Sequence, residues 1–192
     1  MTTYYSDHFS AKVGDTGHCT TRLSPRFLSP GGNLVEGFRH GRHRTSVAYI
    51  TVPNATTLAS ADVIRVMDLR SSSRVASVIA SMDTNWGTTA TFDIGVYKKG
   101  ANDDGAAVDS QLFATAVDWS GAITRVDYFK ESGTLVDMDR WKPLWKLADI
   151  GAGTYTEDPG EVWTLAFTTT QDISATALAT NMMVEVEYMA GD

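Results

Sequence analysis

The sequence has little of what disulfide-bonded, secreted or membrane-spanning proteins require. Its 192 residues include one cysteine, Cys19, so no disulfide can form within the chain. The opening residues Met-Thr-Thr-Tyr-Tyr-Ser-Asp contain no basic segment followed by an apolar one, and we expect no secretory signal. No stretch approaches the ~20 consecutive apolar residues that cross a bilayer. We therefore expect neither a membrane partner nor export.

Catalytic and metal-binding motifs are also missing. The sequence contains no Gly-x-Ser-x-Gly elbow and no Gly-x-x-x-x-Gly-Lys-[Ser/Thr] phosphate loop. With one cysteine, His8, His18, His40 and His43 do not give the regular four-ligand spacing of a zinc site. Asp103, Asp104 and Asp109 lie near Gly105 without EF-hand spacing. We expect no catalytic residue, no metal and no cofactor, although paired carboxylates on separate strands leave a hydrolase as an alternative.

Charge is distributed unevenly along the chain. Residues 1–50 carry six basic and three acidic side chains, a net charge of +3, whereas the remaining 142 carry ten basic and twenty acidic ones, a net charge of −10. Because an acidic body repels phosphates, we expect no direct binding to nucleic acid. The basic leader is suited to an acidic partner.

Residues 1–45 show no continuous periodic pattern. Glycine and proline interrupt them at Gly14, Gly17, Pro25, Pro30, Gly31, Gly32, Gly37 and Gly41. Long irregular segments are usually disordered or functional, and we interpret this one as an arm that becomes ordered on a neighbour. The alternatives are a terminus without a partner and a leader folded on its own domain.

Residues 46–192 alternate between strand-like runs and turn residues, which predicts one all-β domain. The predicted strands are Ser46–Val52, Asp62–Leu69, Arg74–Met82, Thr89–Tyr97, Ala122–Lys130, Glu161–Thr168 and Met182–Met189. In Thr89–Tyr97, strict alternation places Phe92, Ile94 and Val96 in a core and the opposite face in solvent.

Two further segments are less regular. Asp109–Val117 fits either a strand or a single helical turn, and Pro143 limits Trp141–Ala148 to an edge strand or a loop. Short strands separated by Gly, Pro, Asn and Asp indicate a two-sheet antiparallel sandwich, for which we favour the jelly-roll topology.

Five tryptophans raise the possibility of stacking on sugars. Trp163 lies in an alternating strand and is predicted to be core, whereas Trp86 and Trp119 border turns, where they anchor loops or are exposed. Trp141 and Trp145 are four residues apart in an irregular context. Packing in a core or between subunits is the interpretation we favour.

The order of the central motifs resembles a group of small virion proteins encoded in the structural modules of tailed phages. The resemblance covers roughly residues 46–189. It rests on Ala61–Leu69, Arg74-Val75, Trp86-Gly87, Ala90–Tyr97 with its Asp93-Ile94-Gly95, Asp104–Phe113, Trp145-Lys146-Leu147, Asp158-Pro159-Gly160 and Val184–Tyr188. It implies a virion structural role of the head-decoration (cement) type, without catalysis.

On this basis we predict a protein that binds and stabilises the outer surface of a phage capsid. It would be assembled in the host cytoplasm, with the major capsid protein as its partner. We expect a homo-oligomer and favour a trimer.

The arm lies outside the resemblance. Its own chemistry nominates the partner-binding residues, because arginine forks bind carboxylates and aromatic residues fill interfaces: Arg22, Arg26, Phe27, Phe38, Arg39, Arg42 and Arg44. The alternatives are a neck, tail or fibre-base component and a glycan-binding module on the particle surface.

Overall fold

The computed structural model describes residues 3–5, 43–52, 57–84, 90–173 and 180–190. Its strands are β1 (Thr3–Tyr5), β2 (His43–Val52), β3 (Val63–Arg70), β4 (Arg74–Met82), β5 (Thr91–Lys98), β6 (Ala107–Asp118), β7 (Ile123–Asp127), β8 (Val162–Thr169) and β9 (Thr180–Met189). A 3-10 helix, Asp137–Trp141, and a one-turn α-helix, α1 (Leu144–Leu147), lie between β7 and β8. Within these ranges, no helix has the length and apolar content to cross a membrane.

The strands form two sheets, ordered β1-β3-β8-β5-β6 and β2-β9-β4-β7. β1 runs parallel to β3, and the other pairings are antiparallel. The pairs β2–β9, β3–β8, β4–β7 and β5–β6 nest inside one another along the chain, which is the winding of a jelly roll. The predicted antiparallel two-sheet sandwich is therefore confirmed, and the strand order is that of the favoured topology.

The core lies between the sheets and is centred on aromatic side chains. Trp119 is fully buried, with its ring centroid 4.6 Å from that of Phe92 and 5.0 Å from that of Phe167. Its indole Nε1 donates a hydrogen bond to the Tyr128 hydroxyl at 3.0 Å, which satisfies the polar atom that burial would otherwise leave unpaired. Trp163 is buried as predicted. Trp119 anchors the turn that it borders and is not exposed.

The outer face of β5 differs from the expectation. Phe92, Ile94 and Val96 are buried as predicted, but Asp93 and Tyr97 on the other face are buried as well. Asp93 is covered by a large irregularity in β6, which advances five residues, from Asp109 to Ala114, where β5 advances from Val96 to Ile94, and which hydrogen-bonds to Asp93. Tyr97 packs in a buried cluster with Val63 and Ala166 and lies under the Arg65 guanidinium. The prediction of a solvated face was therefore wrong for this strand.

Two other segments resolve or correct the sequence predictions. Asp109–Val117 lies within strand β6. Trp141–Ala148, which was predicted to be an edge strand or a loop, instead contains the end of the 3-10 helix and all of α1. Tertiary hydrogen bonds hold this turn: Leu144 N donates to Ser73 O at 2.7 Å and Trp145 N donates to Ser71 O at 3.0 Å.

Parts of the segment that we assigned to the arm lie in strands. Thr3–Tyr5 forms β1, and β2 begins at His43, three residues before the strand predicted to start at Ser46. The rest of the assigned arm lies outside the described residues.

Candidate interaction surface

Among the seven predicted partner-binding residues, Arg44 is the one that the structure describes. It lies in β2 opposite Tyr188 of β9 and is half-buried. Alternation places it on the same face of the strand as the buried Ala48, so its position belongs to the core-facing row at the end of the sandwich. The other six, Arg22, Arg26, Phe27, Phe38, Arg39 and Arg42, lie outside the described residues.

Of the large hydrophobic side chains of the described residues, the two most exposed lie in the 3-10 helix, and the exposed Val136 immediately precedes it. Val136 is 57% exposed, Met138 76% and Trp141 67%. Together these three residues define what we call the Trp141 surface. Scattered single apolar residues are normal on protein surfaces, but Met138 and Trp141 are three residues apart in a 3-10 helix, where such side chains share a face, and this makes the segment a candidate contact site.

Polar side chains of the same segment face inward and hold it in place. Arg140 donates hydrogen bonds to the carbonyl oxygen of Ala76 and, at 3.0 Å, to Asp127 Oδ2. Its guanidinium carbon lies 4.4 Å from the centroid of the Phe129 ring, which adds a cation–π contact. Because these contacts reach β4 and β7, the segment is attached to the sheet through its arginine and not through its apolar residues.

Asp139 fixes the start of the 3-10 helix. Its Oδ2 accepts a hydrogen bond from Val136 N at 2.8 Å, and its Oδ1 lies 2.7 Å from Lys142 Nζ. The bond from the Lys142 ammonium, followed by that from the Val136 amide, holds the pKa of Asp139 below its ordinary value. A charged, buried carboxylate therefore orders the backbone from which Met138 and Trp141 project.

A second ion pair borders the Trp141 surface. Lys130 Nζ lies 2.9 Å from Asp137 Oδ2. The hydrogen bond from the Lys130 ammonium and the positive charge of that ammonium lower the pKa of the exposed Asp137. The surface therefore has an apolar centre and a charged rim, an arrangement typical of protein–protein contact sites.

The inverted burial of this segment is what sequence reasoning missed. Val136-Asp137-Met138-Asp139-Arg140-Trp141 shows apolar and charged residues in rough alternation, which ordinarily indicates a strand with its apolar side in the core. In the structure Asp139 is buried while Met138 and Trp141 are exposed. The available signal was the proline at 143, which excludes a central strand.

Among the residues considered for metal binding, those that the structure describes do not converge; His8, His18, Cys19 and His40 lie outside the described residues. Asp109 accepts a hydrogen bond from Gln111 N at 2.9 Å, and the buried Asp103 lies 3.9 Å from Lys99 Nζ. His43 lies in β2, with its Nε2 3.8 Å from Glu187 Oε2. In the part of the chain that the structure describes, no group of three or more His, Cys, Asp or Glu residues could hold a metal ion.

Comparison with known proteins gives similarity in structure without similarity in sequence. No family model and no curated protein matches the chain. A chain from the capsid of Ralstonia phage GP4 is similar with a TM-score of 0.50 and 13% identity, over 78% of this chain and 86% of that one. A chain from the capsid asymmetric unit of cyanophage Pam1 has a TM-score of 0.40 and 16% identity, over 89% of this chain and 97% of that one. At 13% identity, the likeness to the Ralstonia phage chain is one of fold.

Proposed function

We propose that this chain is a non-enzymatic structural protein of a tailed-phage particle that binds and stabilises the outer surface of the assembled head. The observation that carries the proposal is the Trp141 surface, where apolar side chains face solvent from a segment held by Arg140 and Asp139. A rigid apolar surface binds without a large loss of conformational entropy. The fold shared with a chain of a phage capsid supports a virion role.

The Trp141 surface is suited to be the centre of the contact with the major capsid protein. Aromatic and methionine side chains are enriched at interface cores, and tryptophan is prominent among residues whose truncation weakens binding most. Lys130, Asp137 and Lys142 then form a polar rim around Met138 and Trp141. A ligand that binds the assembled shell but not its free subunits stabilises the shell by mass action.

The basic arm, residues 1–45, supplies the second part of the proposed interface. Arg22, Arg26, Phe27, Phe38, Arg39, Arg42 and Arg44 contact a neighbouring capsid subunit, with arginine forks on its carboxylates. The body of the chain carries a net charge of −10 after residue 50, which disfavours contact with packaged DNA and favours the exterior of the shell. A trimer at local three-fold positions places three copies of both contacts on the lattice.

Binding to purified bare heads tests the proposal. The full chain is expected to sediment with heads and to raise their melting temperature. The double variant Met138→Ala/Trp141→Ala is expected to bind at least 30-fold more weakly, since truncated anchor residues cost about 2 kcal/mol or more. Tyr49→Ala is the matched control, because Tyr49 is 59% exposed on β2, away from this segment. Absence of the protein from purified particles, or equal binding by both variants, contradicts the proposal.

Residues 1–45 require point variants, because deleting this segment also removes β1 and three residues of β2. Arg39→Gln/Arg42→Gln leaves every described strand intact. We expect this variant to bind heads more weakly at low salt and to lose part of the salt dependence of binding. Unchanged affinity at every salt concentration would exclude these arginines from the interface.

Cryo-electron microscopy of whole particles separates this function from its alternative. Density on the faces of the head supports the cement role. Density confined to the neck, tail or fibre base identifies the chain as one of those components.

A further inference from the structure

The edge of the five-stranded sheet is occupied by a very short strand from far away in the sequence. β1 contributes three residues, Thr3, Tyr4 and Tyr5, which pair in parallel with Val63, Ile64 and Arg65 of β3. On its other side β3 pairs with β8, so without β1 the edge of β3 would expose a row of unpaired backbone groups. Such an edge is a template for strand addition from another chain.

The length of chain between β1 and β2 limits how far β1 can reach from its own sandwich. Thirty-seven residues separate Tyr5 from His43, the first residue of β2. At ~3.3 Å per residue, a connection of this length can span at most ~120 Å. A compact chain of 192 residues has a radius of gyration of about 16 Å. The connection is therefore long enough for β1 to reach β3 of an adjacent copy.

We infer that copies of this chain exchange their N-terminal strands, so that residues 3–5 of one copy pair with residues 63–65 of the next. The exchanged pairing makes the same backbone contacts as the pairing within one copy, so exchange introduces no new surface that has to be complementary. Three residue pairs attach β1 to β3 only weakly and reversibly. At high local concentration, the β1 strand of a neighbouring copy can therefore take the place of the chain's own β1.

Mixed cysteine cross-linking tests the exchange on the protein alone. One variant, the donor, carries Thr3→Cys and a second, the acceptor, carries Val63→Cys, both with Cys19→Ser so that no other thiol is present. Paired strands lie about 4.7–4.9 Å apart, within the Cα separations that a disulfide bridges. Pairing of β1 of one copy with β3 of another therefore favours a covalent dimer of donor and acceptor above the level that random collision gives.

The control acceptor carries Val162→Cys with Cys19→Ser. Val162 lies in the same sheet, opposite Arg70 at the far end of β3, and is more exposed than Val63, so it reports cross-linking by random collision. Incubation at about 1 mM brings copies together at a concentration of the order reached when binding partners are linked. We expect the Thr3→Cys and Val63→Cys mixture to give at least tenfold more dimer than the control mixture, with a yield that rises with concentration.

A single chain that carries both Thr3→Cys and Val63→Cys, with Cys19→Ser, completes the test. If strands are exchanged, this variant should form a disulfide within each copy (a closed monomer) at high dilution. As the concentration rises, disulfides between copies should produce dimers and longer oligomers instead. Closed monomers at every concentration, no disulfide at all, or a dimer yield no greater than that of the control would overturn the inference. The measurement needs no capsid, so its failure leaves binding to heads untouched, and failure to bind heads leaves strand exchange untouched.

Discussion

At Gly95 the backbone of β6 approaches that of β5 closely. A Cβ at this position would lie 2.1 Å from Asp109 O and 2.4 Å from the carbonyl carbon of Ser110, and both are backbone atoms that no rotamer change can move. Asp93, two residues earlier, accepts hydrogen bonds from Gln111 Nε2 at 2.9 Å and Ala116 N at 2.7 Å. The Asp93-Ile94-Gly95 sequence therefore holds the irregular part of β6 against the sheet.

Replacing this glycine is expected to destabilise the protein. Gly95→Ala forces the backbone of β6 away from β5, and overpacking of this kind costs about 1–3 kcal/mol. The urea midpoint should fall while the slope of the transition stays constant. Gly121→Ala is the control, because no heavy atom lies within 4 Å of the Cβ it would add, and its effect should stay within about 0.5 kcal/mol. Equal midpoints for the two variants would contradict the close approach.

Asp139 gives the stability of the protein a dependence on acid pH. The Lys142 ammonium and the Val136 amide lower its pKa below the ordinary value of 3.8, so the folded state favours the charged carboxylate. A lowered pKa in the folded state stabilises the protein above the pKa of the unfolded chain. That stability is lost as the pH falls through the lower, folded-state pKa.

The variant Asp139→Asn isolates this contribution. It keeps an oxygen able to accept from Val136 N and removes the charge next to Lys142. We expect the wild type to be more stable than the variant by up to about 1 kcal/mol at pH 7, since Lys142 is half exposed and screened by water. The difference should shrink to zero as the pH is lowered below 3.8. Urea titrations between pH 7 and pH 2.5 measure it, and a difference independent of pH would show that the charge is not responsible.

At the scale of elements, alternation alone predicts those strands whose two faces differ. In β9, which was predicted as the strand Met182–Met189, Val184 and Val186 are buried and Glu185 and Glu187 are half-buried, in step with the alternation of its sequence. β6 remained open between strand and helical turn, because its register shifts remove a constant period from its side chains. α1 could not be predicted locally, since the carbonyl groups that hold its first turn belong to Ser71 and Ser73, about seventy residues earlier.

The Trp141 surface escaped prediction for a related reason. Whether Met138 and Trp141 face the core or solvent depends on where Arg140 finds its partners. Those partners, Ala76 on β4 and Asp127 on β7, become neighbours only after the sandwich has formed. Sequence alone could nominate Trp141 as an aromatic residue in an irregular context, but it could not orient the side chain.

Arg140 should therefore contribute more to stability than another arginine with a similar ion pair. Its side chain is 24% exposed and bonds Ala76 O and Asp127, whereas that of Arg125 is 57% exposed and bonds Glu185 at 2.9 Å. We expect Arg140→Ala to lower the free energy of unfolding by about 2–3 kcal/mol and Arg125→Ala by less than about 1 kcal/mol. Arg140→Lys should not restore the loss, because an ammonium cannot reproduce the two-point contact. Urea denaturation of the three variants decides this, and similar losses for both alanine variants would contradict it.

At the scale of the whole molecule, the last strand closes the fold. β9 lies between β2 and β4 and pairs with ten residues of the first and eight of the second. The outermost nested pair therefore joins the two ends of the sandwich domain, from residue 43 to residue 189. Long-range pairing of this kind makes folding slow compared with that of helical domains, in the range of milliseconds to seconds.

Removal of β9 should therefore abolish cooperative folding rather than weaken it. A chain that ends at Ile173 loses the buried Met182, Val184 and Val186, each contributing about 1.5–3 kcal/mol, and leaves β2 without its pairing partner. That loss is comparable with the about 5–15 kcal/mol that keep a domain folded. A chain that ends at Ala190 keeps β9 complete and should unfold in urea in one transition, coincident by tryptophan fluorescence and far-ultraviolet circular dichroism. A cooperative transition in the shorter chain would contradict this prediction, because it would mean that the sheet containing β3, β8, β5 and β6 folds without the other sheet. The two sheets share one hydrophobic core, so we expect neither to fold alone.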